Sequence, residues 1–538
     1  MKFNNKVIIF ILGILFLVFI AACSTSPAPP AAPEQVIRYN IGAEPATLDP
    51  ALSSGMVEQT VANALLEGLV RLDKDGHPSP GVAESWEISP DGKTYTFKLR
   101  ECFWSNGEPL TADDFVYSWL RLLSPETASP YAYQLFYLVN GREYYAGEVK
   151  DPASVGVRAE GKDRLVVNLK APVPYFLALT AFPALFPVPE SMVSRDPEGW
   201  TLAPGKFAGN GPFKLAAWEH NKQIILEKNE HYWDRENVRL EKLVITLVSD
   251  SHTELAMFEN DQIDIAETPP YREIERLAQS GQLKVSPDLS NEYYMFNTKV
   301  KPFNQVLVRK ALSLAIDREA LVTNLTKGGE RAAYAFVPPG VEGPAPGHDY
   351  RSLGEKLIEG FNPAEAKRLL AEAGYPEGRG FPVIELLLDD NQNHKAVAEA
   401  ITGMWREYLG IESKIVEQEY RVYLNTMFAR DYQVARVGWI ADYNDPMTFL
   451  DMWVTGNDNN LADWENAEYD RLIGSAAGSG DRAARSELMF EAEKILMDEL
   501  PVVPIYYYTN PYLEKERVKG VIHPSFAILA EFKWAYVE

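Results

Sequence analysis

The chain has 538 residues, with 52 Lys and Arg against 76 Asp and Glu and a formal net charge of −24. That excess of acid excludes a nucleic-acid partner and opposes electrostatic docking on an anionic bilayer. The length suggests two or three domains, and with only two cysteines, Cys23 and Cys102, their stability has to come from packed cores rather than disulfides.

The first element in the chain is a targeting segment. Lys2 and Lys6 precede an apolar run from Val7 to Ala22, too short to span a bilayer comfortably and laid out like the charged and hydrophobic regions of a signal peptide over residues 1–22. The run ends in "IAAC", which resembles the lipobox of bacterial lipoproteins and implies acylation of Cys23. Residues 23–34, "CSTSPAPPAAPE", hold little that could pack and read as an extended tether between the lipid and the folded protein. The mature protein is therefore expected outside the cytoplasm, lipid-anchored to the cell membrane, with Cys102 left unpaired.

Strands and helices interleave beyond the tether. In "SPDGKTYTFKLR" a Pro-Asp-Gly turn leads into Tyr95, Phe97 and Leu99 alternating with Thr94, Thr96 and Lys98, the period of a half-buried strand. "FNPAEAKRLLAEAGYP" predicts a helix with Asn362 as N-cap, Pro363 at the first helical position, Glu365 at capping-box spacing, and Gly374 and Pro376 as the stop. Val397, Ile401, Trp405 and Leu409 recur every four residues before Gly410 and form one apolar helical stripe. The last apolar run, "LPVVPIYYYTNPYL", reads as a strand returning to an earlier sheet, so the fold class is mixed α/β.

Catalytic signatures are missing from this pattern. Seven histidines are scattered, without HExxH or other metal-ligand spacing, and there is no G-x-S-x-G elbow or phosphate loop. "GNGPFK" (209–214) lacks the third glycine of a dinucleotide fingerprint, and its glycines are expected to serve a tight turn. These observations predict a binding protein that is not an enzyme and needs no cofactor or metal.

Separated blocks then form an ordered set: "AEPATLDPA" (43–51), "LLEGLVRLD" (65–73), "GVAESWEIS" (81–89), "YTFKLRECFWSNGEPLTADDFVYSW" (95–119), "GNGPFKL" (209–215), "FNTKVKPFNQVLVRKALSLAIDRE" (296–319) and "GWIADYNDPMTFL" (438–450). Together they resemble the extracytoplasmic solute-binding proteins of peptide ABC transporters, family 5, and within them the oligopeptide-binding branch. The resemblance implies a two-lobed periplasmic-binding-protein-like fold (type II, cluster C) with a third domain and a hinge. Carried onto this chain, lobe I takes residues 35–66, 191–293 and 510–538, the extra domain 67–190 and lobe II 294–509, with crossings near "EYYMF" and "YYYTNP". It also implies a monomer that captures oligopeptides between closing lobes and hands them to ABC permease subunits for import. The alternatives are a receptor for another solute, such as a nickel complex or an oligosaccharide, and a peptide-pheromone sensor using the same cleft.

Within "YQVARVGWIAD", strict alternation puts Arg436, Gly438, Ile440 and Asp442 on one side and Val437 and Trp439 on the other. A free peptide carries an ammonium and a carboxylate, and a buried acid facing that ammonium offsets the desolvation either would suffer alone. Asp442 is the natural ammonium partner; it could also serve as an Asx-turn residue capping a helix after Pro446. Arg436 lies six residues away, roughly 20 Å along a strand, and could equally pair with an internal acid. The resemblance assigns Asp442 to the peptide's amino group and Arg436 to the carboxylate of short peptides. It further implies that Ser54, Gly55 and Met56 form one backbone edge and Gly438 to Ile440 the other, that Tyr131, Tyr420 and Trp439 line side-chain pockets, and that His394 belongs to the carboxylate end. Met427 stands where the family pattern has an arginine.

Overall fold

The computed structural model describes residues 33–538 apart from 54, 75, 346 and 458. The signal peptide, the tether and Cys23 lie outside the described residues, as does Ser54. Cys102 is buried and free, and burial pushes its thiol up to about 12. Among the described residues no helix is long and apolar enough to cross a membrane, and no group of His, Cys, Asp or Glu is close enough to hold a metal ion.

One mixed sheet organises the molecule. Its strands run in the order Phe213–Glu219, Gln223–Lys228, Lys242–Thr246, Val36–Asn40, Ile265–Ala266, Val502–Glu514, Leu283–Phe296, Val434–Ile440, Ile384–Asp389 and Ser413–Gln418, with the short strand Arg331–Ala332 added to Val502–Glu514. Two of these strands are much longer than the rest. Leu283–Phe296 and Val502–Glu514 pair antiparallel from Leu283 opposite Leu513 to Met295 opposite Val502. One end of the pair neighbours Ile265–Ala266 and the other end neighbours Val434–Ile440, so these two strands join two halves of the protein. The terminal apolar run thus returns to an earlier sheet, as its pattern predicts. Register slips twice along the pair, between Pro287 and Asn291 and again between Glu292 and Tyr293, inside "EYYMF".

A separate antiparallel sheet lies in the region between residues 67 and 190, ordered Ala83–Ile88, Thr94–Leu99, Arg164–Asn168 and Val157–Ala159. Tyr95, Phe97 and Leu99 point inward, as their alternation predicts. Buried charges tie this region to the chain's last strands. Arg71 pairs with both Glu67 and Glu531, and Glu67 also accepts from the Tyr232 hydroxyl at 2.6 Å. Arg121 grips Asp49 with two bonds of 2.9 and 2.6 Å, and the Trp200 indole donates to the same carboxylate.

The helix Pro363–Glu372 begins at Asn362, whose side chain accepts from the Glu365 amide at 3.2 Å. Glu365 does not close the capping box; its carboxylate holds Arg368 instead, at 2.7 and 2.8 Å. The stripe Val397, Ile401, Trp405 and Leu409 is fully buried.

The glycines of "GNGPF" serve close approach rather than a tight turn. Neither has positive φ, and a Cβ on Gly211 would lie 2.6 Å from the Leu65 carbonyl carbon and from the Leu66 nitrogen. Asn210 between them reads the same chain, accepting from the Glu67 amide and donating to the Glu67 carbonyl. Gly211→Ala is therefore expected to destabilise the protein by roughly 2–3 kcal/mol, seen as a lower denaturant midpoint with an unchanged far-ultraviolet spectrum.

Candidate functional site

The strand Val434–Ile440 is covered unequally. Leu283–Phe296 pairs with all of it, from Phe296 opposite Val434 to Ser290 opposite Ile440, while Ile384–Asp389 pairs only with Val434 and Ala435. From Gly438 to Ile440 one backbone edge is therefore open. Gly438 is exposed, Ile440 is 40% exposed and Trp439 is half-buried.

The chain leaves this strand at Ala441, whose amide bonds Leu289, and Asp442 follows in the turn. The Asp442 amide donates to Thr448 Oγ1, so the turn folds back on the short helix Met447–Leu450. Capping that helix falls to Asp445, which accepts from the Met447 amide at 2.9 Å. The Asp442 carboxylate is thereby free of turn duty and accepts instead from the Tyr133 hydroxyl at 2.5 Å. Burial pushes Asp442 up to about 6, against the pull of Tyr133 and the neighbouring Gln134 amide. Among the described residues no cation pairs with it. Asp445, by contrast, is clamped by Arg485 at 2.7 and 2.8 Å. Asp451 is pushed up to about 7 by burial first and by the charges of Asp442 and Asp445 next. Among the described residues, the one cation paired with these three carboxylates is Arg485, on Asp445.

Tyr133 comes from the region 67–190, 309 residues before Asp442. In the same contact Tyr175 stacks on Tyr443 with ring centres 4.3 Å apart, and the Arg485 guanidinium sits 5.4 Å from the Tyr175 ring. Tyr131 packs between Phe182 and Tyr133, at 4.9 and 5.8 Å, and faces Gln59 and Glu58. Those two residues lie in the first turn of the helix Met56–Leu65, which Gly55 precedes in an extended conformation. Tyr131 thus connects the first turn of that helix with Tyr133 and Asp442.

A second cluster is built around Arg436. Its Nε and Nη2 donate to Glu292 at 2.8 and 2.5 Å, and Nη2 also bonds the Tyr508 hydroxyl at 2.6 Å. Glu292 is wholly buried and Arg436 nearly so. Of the two roles that its sequence position left open, pairing with an internal acid is the one seen here: the partner of Arg436 is Glu292. His394 Nδ1 lies 2.7 Å from Asp389 Oδ1. Burial would raise Asp389, but the hydrogen bond and charge of His394, with Arg436 beyond, hold it below the usual carboxylate range. Tyr420 is 57% exposed and stacks along Tyr423, whose hydroxyl donates to the Arg436 carbonyl. Met427 is buried.

Glu292, Tyr508, Tyr133 and Asp389 escaped the reading of the sequence. Glu292 carried a signal, an acid inside the apolar run "NEYYMF". Tyr133 carried none, because only the fold brings it to Asp442.

Residues 77–460 match the family model of bacterial extracellular solute-binding proteins, family 5. The chain belongs to this family. It is 37% identical over 502 residues to the oligopeptide-binding protein OppA of Bacillus subtilis, covering 91% of this chain and 90% of that one. Two solved structures share the fold over 94% of this chain and 99% of their own, each at 34% identity: the Haemophilus influenzae OppA complex with RPPGFSPFR, TM-score 0.81, and the Escherichia coli murein tripeptide binding protein MppA, TM-score 0.83. An unliganded open form of MppA fits less well, at 0.74. The family-5 chain described here thus stands nearer the peptide complex than the open form, in keeping with the Tyr133–Asp442 and Tyr175–Tyr443 contacts that bridge its cleft. The family and these relatives are binding proteins.

Because the Tyr133 hydroxyl bonds the ionised form of Asp442, Tyr133→Phe is expected to move the Asp442 titration in the ligand-free protein to higher pH, read from the carboxyl carbon chemical shift.

Proposed function

We propose that this protein is an extracytoplasmic receptor that binds oligopeptides by their free amino terminus between closing lobes and delivers them to an ABC permease. The observation that carries the reading is Asp442, a half-buried carboxylate that accepts from a hydroxyl and, among the described residues, pairs with no cation. Such a group is costly in an empty site and is compensated by a ligand ammonium. The open edge at Gly438 to Ile440 supports the same conclusion. An extended peptide adds to it as a strand, so main-chain hydrogen bonds give affinity common to many sequences. Ser54, Gly55 and Met56 would supply the facing edge, and Tyr131, Trp439 and Tyr420 walls that are stiff and tolerant of different side chains. Nothing in this arrangement calls for a catalytic step. The leader and "IAAC" support secretion and acylation at Cys23, and the tether would hold a monomer off the outer face of the membrane.

Native mass spectrometry of protein purified without refolding is expected to show a ladder of short co-purified peptides; a bound sugar or metal chelate instead would replace the peptide reading with that of another solute. Asp442→Asn removes the charge and keeps the shape, and binding of a free tripeptide is expected to weaken at least about a hundredfold. The pH dependence has a definite sign. Asp442 is ionised above about 6 and protonated below it. An ammonium ligand needs the ionised form, so affinity holds at pH 7 and falls about tenfold by pH 5. Calorimetric titration checks both, and equal affinity at the two pH values would remove Asp442 from the binding contact.

A further inference from the structure

The two ends of the cleft treat charge in opposite ways. At the Asp442 end, acids outnumber cations and leave a place for one positive group. At the Arg436 end, the guanidinium spends Nε and Nη2 on Glu292 and shares Nη2 with Tyr508. Asp389 stands close enough to feel the same guanidinium and holds His394 at 2.7 Å. One guanidinium and one imidazole therefore face two carboxylates. Their sum is negative when His394 is neutral and zero when it is protonated, so neither state offers a surplus positive charge. Of the lysines elsewhere in this half, Lys395 pairs with Glu417 at 3.0 Å and Lys327 with Glu275 at 3.4 Å. Met427 adds a thioether rather than a cation.

Resting on the peptide-receptor reading above, we infer that this receptor recognises the amino terminus alone and gives no counter-ion to the ligand's carboxylate, so that peptides with blocked or remote carboxyl ends are ligands as good as short free acids. Displacing Glu292 from Arg436 would strand a wholly buried acid without a partner. Adding a carboxylate on Nη1 without displacing Glu292 would crowd a third acid around charges already balanced. Neutral carboxyl ends, such as amides, meet neither obstacle. A longer peptide whose last residue lies beyond Tyr420 escapes both as well, because its carboxylate reaches water.

The test is calorimetric titration of the purified full chain at pH 7 with tetraalanine, tetraalanine amide and N-acetyl-tetraalanine. The acid and the amide are expected to bind within threefold of each other, while acetylation weakens binding at least a hundredfold. In Glu292→Gln the guanidinium is released, and the acid is expected to gain about tenfold over the amide. Amidation that weakens binding to the unaltered protein tenfold or more overturns the inference, and that comparison needs no variant to fold. Acetylation distinguishes the two readings: if it has no effect, recognition through Asp442 fails, whereas strong losses from both acetylation and amidation keep Asp442 and overturn only the carboxyl-end inference.

Discussion

The pairing of Leu283–Phe296 with Val502–Glu514 sets the geometry on which the site depends. The same pair that joins the halves also carries Glu292 and Tyr508, and these fix the Arg436 guanidinium from below. Leu289 to Phe296 is buried on both faces, so the direction of Glu292 is held by its bonds to Arg436 and Tyr508. The register is irregular between Pro287 and Asn291 and again between Glu292 and Tyr293, so the site-bearing Glu292 sits between two shifts.

Contacts across the molecule differ in strength. Arg71, Glu67 and Glu531 form a buried charged network, and Arg121 and Asp49 form another, between the region 67–190 and the strands around Val36–Asn40. Opening either would expose paired charges in a dry interior and is disfavoured. The same region meets the Asp442 turn through neutral hydrogen bonds from Tyr133, Gln134 and Tyr137, a ring stack and an arginine beside a ring. Those contacts cost less to separate, since water can replace the hydrogen bonds. The region 67–190 is therefore tied more firmly to the amino-terminal sheet than to the half carrying Asp442 and Arg436.

Much of the fold was legible because it rests on local signals. Alternation placed Thr94–Leu99, capping residues placed Pro363–Glu372, and the apolar terminal run returned to the main sheet. At the site, strict alternation put Arg436 and Asp442 on one face, but the strand ends at Ile440 and Asp442 owes its position to a turn folded on Thr448. Turn roles were also exchanged: Asp445, three residues on, caps the helix that Asp442 was a candidate for. Glu292 and Tyr133 could not be paired with their partners from sequence, because their separations of 144 and 309 residues are closed only by the assembled fold.

The glycines of "GNGPF" show the same limit in backbone terms. Sequence alone indicates that a glycine is needed, and a turn is the commoner reason. Here the reason is the end of the helix Met56–Leu65, whose last carbonyl accepts the Gly211 amide at 2.9 Å while the backbones touch. That contact anchors the helix at its far end, and Gly55 and Met56 open its near end toward Tyr131 and Asp442. A glycine 146 residues beyond the end of the helix thus helps set where that helix, and with it Gly55, sits against Tyr131.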